Sequence, residues 1–270
     1  MNRKKIGIAL GSGGAKGFAH VGVLKALEEH HIPVDLVSGS SMGSLVGAFY
    51  ATGMRPDFMD RLARSLTWRH WVDVTVPRVG LVAGKKIHDM VTLLTRGTEF
   101  AQIDMPLAIV ATELLSKRLV TFTSGRISDA VRASISIPGV FVPYVREDGV
   151  YVDGGVMERV PVAAARDLGA DVVIAVDVAA FMKHEVPGTM MDVIMMSLDA
   201  MTDQLVQQRL PTADLCITPN LSDIGTSQFS RAAEAIEIGY QTTLSLMSKI
   251  RELVGLPQTD SVGEEQVEDS

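Results

Sequence analysis

The sequence predicts an α/β protein with a largely parallel central sheet. Strand-like apolar runs alternate with amphipathic helical runs over most of the chain. Two of the strands end in a turn of glycines and serines that opens directly into a helix. With 47% hydrophobic and 21% charged residues in 270, the composition is that of a globular chain able to bury a large core.

Residues 4–10 (KKIGIAL) read as a buried strand ending in glycines. Over 16–30, Phe18, Val21, Leu24 and Leu27 recur at helical spacing, with Glu28 and Glu29 outside. Residues 34–38 (VDLVS) form a second strand, and 42–53 a helix of small residues. Segment 55–103 then breaks the rhythm. It holds Trp68 and Trp71 and no clear strand, and reads as a helical cap inserted into the core. Strands at 106–112 and 119–123 follow, then a short helix at 128–135. A brief strand at 150–152 comes after the turn signal Glu147-Asp148-Gly149. A helix near 161–168, a strand at 172–177, a long helix near 189–209 and a strand at 214–218 continue the alternation. In the long helix, Ile194, Leu198, Met201 and Leu205 are spaced as an ordinary core face, though its many methionines also suit lipid or a partner. A last helix fits 229–253. The expected organisation is one domain over 5–220 with its cap, a helical region over 221–256 packed on it, and a disordered acidic tail over 257–270.

Charge narrows the partners. There are 25 Lys+Arg against 32 Asp+Glu, a net charge of −7. A nucleic-acid binder wants a basic face, so none is expected. The same acidity opposes electrostatic wrapping of an anionic membrane but leaves room for local, transient contact with a membrane surface. The apolar run after MNRKK meets GSGGAKG too soon for an export signal. The uncharged stretch Leu36–Met54 is broken by serines and glycines and does not read as a membrane span. A cytoplasmic protein is expected. Its single cysteine, Cys216, rules out an internal disulfide and a cysteine-based zinc site.

Three motifs carry chemistry. Gly39-Ser40-Ser41-Met42-Gly43 is a G-x-S-x-G set between a strand and a helix, the setting of a nucleophile elbow. Its sharp turn would hold Ser41 up at the strand's end, beside the positive end of the next helix. Gly11-Ser12-Gly13-Gly14-Ala15-Lys16-Gly17 follows the first strand, and its backbone N–H groups can converge on an anion or a developing oxyanion. It lacks the Walker A pattern, and its spacing departs from the dinucleotide fingerprint. Asp153-Gly154-Gly155 places a carboxylate on a sharp turn; Asp148-Gly149 is the runner-up and looks more like a plain hairpin turn.

A serine needs a base. After Asp153 the remaining histidine is His184, in a polar Lys183-His184-Glu185 stretch. His20 reads as packing or capping on the first helix, His30 and His31 end that helix, and His70 and His88 fall in the cap. A serine–carboxylate dyad with Asp153 as base fits better than a triad. A carboxylate is a weak base at its usual pKa of about 3.9, so the site must raise that value or hold the hydroxyl well.

GSGGAKG, then GSSMG, then DGG, in this order, resemble the patatin-like phospholipase family, and within it small bacterial members related to the catalytic domain of neuropathy target esterase. The resemblance covers about residues 5–220 and includes Ala133-Ser134-Ile135-Ser136-Ile137-Pro138-Gly139, similar to the family's A-S-x-x-x-P block. It implies a three-layer α/β/α fold with an inserted helical cap, and hydrolysis of phospholipid or lysophospholipid acyl esters through an acyl-enzyme. Ser41 is then the nucleophile and Asp153 the base, Gly13 and Gly14 form the oxyanion loop, and Lys16 and Met42 meet substrate, with no metal or cofactor. Met54, Phe58, Met59, Leu62, Trp68 and Trp71 of the cap would supply an acyl channel. Relatives often carry asparagine between D-G-[GA] and the following proline; here the run is Val156-Met157-Glu158-Arg159-Val160-Pro161. The alternatives are a non-catalytic regulator that keeps the fold and a nucleotide binder using the glycine loop.

Overall fold

The computed structural model describes residues 3–65, 73, 80–181 and 186–258. Trp68, Trp71, His70, His184 and the tail beyond 258 lie outside the described residues.

The chain runs β1 (Ile6–Leu10), α1 (Ala19–Glu29), β2 (Leu36–Ser40), α2 (Met42–Ala51), α3 (Pro56–Ser65), α4 (Lys85–Leu94), β3 (Leu107–Glu113), β4 (Arg118–Phe122) and α5 (Ile127–Ser134). It continues with β5 (Tyr144–Arg146), β6 (Gly149–Asp153), α6 (Val162–Asp167), β7 (Val172–Val176), α7 (Met190–Arg209), β8 (Leu215–Ile217), α8 (Ala232–Ser245) and α9 (Met247–Val254). All eight strands join one sheet in the order β5-β6-β3-β2-β1-β7-β8, with β4 on the free edge of β3. The run β3-β2-β1-β7-β8 is parallel, whereas β4, β5 and β6 pair antiparallel.

Strand alternation sets the layers. Ile6, Ile8 and Leu10 of β1 and Val172, Ile174 and Val176 of β7 face the large core shared with α1, α2 and α8. Ala9, Val173 and Ala175 face the other way, against Val162 and Ala165 around α6. Large side chains fill the thick layer, and small ones let α6 lie close to the sheet. The result is a mixed α/β fold with a mostly parallel central sheet and helices on both faces.

Helices α1 and α8 cross at two glycines. A Cβ on Gly22 would fall 1.9 Å from the Ile236 carbonyl oxygen, and one on Gly239 2.2 Å from that of Ala19. No side chain fits there, so α8 packs backbone to backbone on α1 and covers Leu24 and Leu27 of the core.

Three elements depart from the sequence reading. Strand β5 was not expected. It pairs with β6 through a two-residue turn, Glu147-Asp148, so the runner-up carboxylate Asp148 is a hairpin turn residue whose side chain meets Arg146 at 3.1 Å. The last helix breaks at Leu246 into α8 and α9. Of the 55–103 segment, α3 packs on α1 and α8, and α4 on α5. The core-face reading of the long helix does not hold. On α7, Ile194 is 45% and Met201 60% exposed, and Leu198 and Leu205 are only half-buried.

Gly239→Val is expected to lower the urea midpoint, destabilising the protein by about 1–3 kcal/mol, because the added methyls must push α8 off α1.

Candidate active site

The β2–α2 junction is the G-x-S-x-G turn. Ser41 sits there with φ 52° and ψ −123°, a strained backbone for a residue with a side chain. The flanking glycines make the turn possible. A Cβ on Gly39 would lie 2.6 Å from the Gly43 oxygen, and one on Gly43 2.1 Å from the Leu10 oxygen. The turn is held from outside by Ser134, whose Oγ accepts the Ser41 N–H at 2.9 Å.

Asp153 arrives from the opposite direction. Strand β3 pairs with β2 up to Ser40↔Val110 and with β6 from Asp153↔Ala111. The ends of β2 and β6 therefore abut on consecutive residues of one edge of β3. The Asp153 N–H donates to the Ser136 carbonyl at 2.9 Å. One short segment, Ser134 to Ser136, thus braces both strand ends.

Between them the side chains meet. Ser41 Oγ donates to Asp153 Oδ2 at 2.5 Å, and Gly155 N–H donates to Oδ1 at 2.7 Å. Ser41 is 4% and Asp153 5% exposed. Burial pushes the Asp153 carboxyl up to about 7, against the lowering effect of the Ser41 and Gly155 hydrogen bonds. Such a carboxylate changes protonation near neutrality, where a general base is effective.

The glycine loop lies beside this pair. Gly13 and Gly14 line the same cavity as Ser41 and Asp153. They stand at the start of the helical turn Gly14–Phe18, and no acceptor among the described residues takes their N–H groups. The loop is braced by His20. Fully buried, it donates from Nε2 to the Gly11 carbonyl at 2.7 Å, and desolvation lowers its pKa to about 4. His20 is therefore a neutral prop of the loop, as the packing role suggested.

The cavity has a volume of about 390 Å³, within the range of small-molecule sites. Its apolar wall comes from Met42, Leu45, Val82, Ile87, Ile137 and Phe141. Met42 therefore stands where substrate would lie. Of the expected channel residues, Met54, Phe58, Met59 and Leu62 do not, and Trp68 and Trp71 lie outside the described residues. Met59 is buried against the main core, Phe58 is 46% exposed, Met54 and Phe58 line a separate surface groove, and Leu62 is absent from the cavity lining. Among the described residues of segment 55–103 it is Val82 and Ile87 that reach the cavity.

Lys16 is also placed differently from the sequence reading. It is 3% exposed, does not line the cavity, and its Nζ donates to the Phe181 carbonyl at 3.1 Å. Desolvation lowers its pKa, opposed by the nearby carboxylates of Asp199 and Asp177. The cation that does line the cavity is Arg159, 6% exposed and paired with Asp203 of α7 at 2.5 Å. Sequence reasoning missed it, although it lies in the run where this chain departs from the asparagine pattern. His88 is no base for Ser41, since its Nε2 pairs with Asp129 at 2.8 Å and it is not among the cavity residues.

A strained serine, a buried carboxylate on it and an open glycine loop are arranged as in an acyl-transfer site, and a family model described as patatin-like phospholipase matches residues 8–166. The chain belongs to the patatin-like phospholipase family. Among its relatives, lysophospholipase NTE1 of Pyricularia oryzae is 27% identical over 94% of this chain, which spans 19% of that protein. An uncharacterized NTE family protein of Mycobacterium tuberculosis is 38% identical over 64% of this chain and 48% of its own length. The fold is similar to the crystal structure of VipD from Legionella pneumophila, at TM-score 0.67 and 15% identity, covering 92% of this chain and 67% of that one. The type III effector protein ExoU follows at TM-score 0.52 and 16% identity, over 92% and 53% of the two chains. This patatin-like chain thus spans about a fifth to a half of the curated relatives it matches.

The raised Asp153 pKa has a stability consequence. Below about pH 3 the carboxyl is protonated in both folded and unfolded chains. As pH rises toward 7, the unfolded chain ionises while the folded one resists, so stability falls across this window and stays low above it. Asp153→Asn is therefore expected to raise Tm at pH 8, with the gain shrinking to nothing near about pH 3, as read by calorimetry at the two pH values.

Proposed function

We propose that the protein is a serine esterase that cleaves acyl ester bonds of phospholipids or lysophospholipids through Ser41, Asp153 and an acyl-enzyme. The observation that carries this is the 2.5 Å hydrogen bond from Ser41 Oγ to a buried Asp153 whose pKa is raised to about 7. The lysophospholipase name of its NTE1 relatives supports the substrate class. The reading includes action in the cytoplasm and transient contact with a lipid surface.

In the first half-reaction, Ser41 Oγ attacks the ester carbonyl as its proton passes to Asp153. The carbonyl oxygen becomes an oxyanion held by the free N–H groups of Gly13 and Gly14. Collapse breaks the ester C–O bond, and Asp153 returns the proton to the departing alcohol. Water then attacks the acyl-enzyme with Asp153 taking its proton, and collapse releases the fatty acid and restores the Ser41 hydroxyl. The alkyl chain lies along Leu45, Ile87, Ile137 and Phe141. Helix α2 directs its positive end at the Ser41 turn, which favours the developing negative charge.

The deciding experiment is labelling by a fluorophosphonate probe, read by intact mass. One adduct is expected on the wild-type protein, none on Ser41→Ala, and slow labelling on Asp153→Asn. Absence of any adduct on folded wild-type protein would overturn the reading and favour a non-catalytic binder. Hydrolysis should fall by about 10³-fold or more in Ser41→Ala. The wild-type kcat/KM should rise with pH to a plateau above an apparent pKa near 7, because ionised Asp153 is the active base.

Chain length should follow the cavity. Ile137→Trp is expected to raise KM for a sixteen-carbon acyl ester about tenfold while leaving a four-carbon ester within about twofold, measured by steady-state kinetics on both.

A further inference from the structure

Helix α7 does not pack as a helix in a globular protein normally does. Such a helix buries an apolar stripe. Among the described side chains of α7, no apolar residue is buried; the buried one is Thr202. The helix is tied to the body by polar contacts near the cavity. Arg159 pairs with Asp203 at 2.5 Å, and Arg209 pairs with Glu158 and donates to the Met157 carbonyl at 3.1 Å.

Its two faces differ in kind. Asp192, Met195, Leu198, Asp199 and Thr202 line the cavity that holds Ser41 and Asp153. On the opposite side, Met190, Val193, Ile194 and Met201 are 80%, 51%, 45% and 60% exposed. Their spacing puts them on one stripe about 100° wide. Ser197, Ala200, Gln204 and Gln208 complete that side, and none of these residues is charged. The acidic residues of the helix, Asp192, Asp199 and Asp203, all lie on the cavity side or pair with the body. Exposed Val186 and Phe181 precede the helix.

We propose that this outer face of α7 docks the protein on the surface of a net-neutral lipid aggregate, from which the acyl ester enters the cavity on the helix's other side. The proposal rests on the lipid-esterase reading of that cavity. Two observations commit it to this occupant. The exposed stripe is the back of a helix whose other face lines the cavity, so docking there places the cavity about one helix diameter, roughly 10 Å, from the lipid. The stripe also offers no cation, and the chain carries a net charge of −7, so an anionic surface is repelled while a zwitterionic one is not. Methionine suits a surface of irregular acyl chains. None of Met190, Val193, Ile194 and Met201 touches the cavity, so the docking face can be altered apart from the chemistry.

The test is co-sedimentation with phosphatidylcholine vesicles, with and without about one third phosphatidylglycerol. The wild-type protein is expected to bind the phosphatidylcholine vesicles, and no more tightly when anionic lipid is added. Replacing Met190, Val193, Ile194 and Met201 together by glutamine should weaken binding about tenfold or more. Turnover of a monomeric four-carbon ester should stay within about twofold, and Tm should be little changed, since all four side chains are exposed. Ile194→Trp should strengthen binding and shift its fluorescence to the blue on vesicles. Equal binding by the glutamine variant, or salt-sensitive binding that requires phosphatidylglycerol, overturns the proposal. So does wild-type dimerisation in sedimentation velocity that the glutamine variant abolishes, which would make the face a contact between copies. Ser41→Ala separates the two readings: vesicle binding that survives in a protein with no esterase activity leaves docking standing and sinks the lipid-esterase function.

Discussion

The site depends on one shared strand. β3 takes β2 along the first part of an edge and β6, from the opposite direction, along the remainder of the same edge. Two strands separated by over a hundred residues are thereby brought end to end, one delivering a serine and the other an aspartate. Backbone register alone places the two side chains within reach, before any side-chain choice is made. The hydrogen bonds from Ser41 N–H to Ser134 and from Asp153 N–H to the Ser136 carbonyl lock both ends against the same short segment.

Around that junction the structure accepts two costs. The Ser41 backbone is held in a conformation unfavourable for a residue with a side chain, by about 1–3 kcal/mol at comparable sites. Asp153 is buried with two hydrogen-bond donors and, among the described residues, no cation on it, and desolvation raises its pKa. Both costs are met by the rigidity of a sheet packed on both faces, and both bear on reactivity. The strained turn presents the hydroxyl, and the desolvated carboxylate changes protonation near neutral pH.

The parts of this arrangement that were legible in the sequence are those set by short-range sterics. G-x-S-x-G between an apolar strand and a helix of small residues admits few backbone paths, so Ser41 could be placed. Asp153 followed from the turn at its strand end and from the order of the motifs, and the alternation of Ile6, Ile8 and Leu10 with Gly7 and Ala9 announced a buried strand with one thin side. What depended on distant contacts was not legible. Lys16 looked available because it is the basic residue of the glycine-rich loop, yet the Phe181 carbonyl takes its ammonium group. Met59 was assigned to the cavity wall because it is as apolar as Ile87, and only the packing of α3 on α1 separates them. The periodicity of α7 indicated a helix correctly, but periodicity cannot say whether an apolar stripe meets protein or solvent.

The abutting ends of β2 and β6 also constrain when the site comes into being. The serine and its partner are 112 residues apart in sequence, and β1, at the middle of the sheet, gains its second neighbour only from β7. A chain growing from its N-terminus carries the serine long before it carries the aspartate, and the sheet that aligns them closes later still. Throughout its synthesis the growing polypeptide lacks the aligned pair. The hydrogen-bonded Ser41–Asp153 unit appears as a late, all-or-none property of the folded sheet.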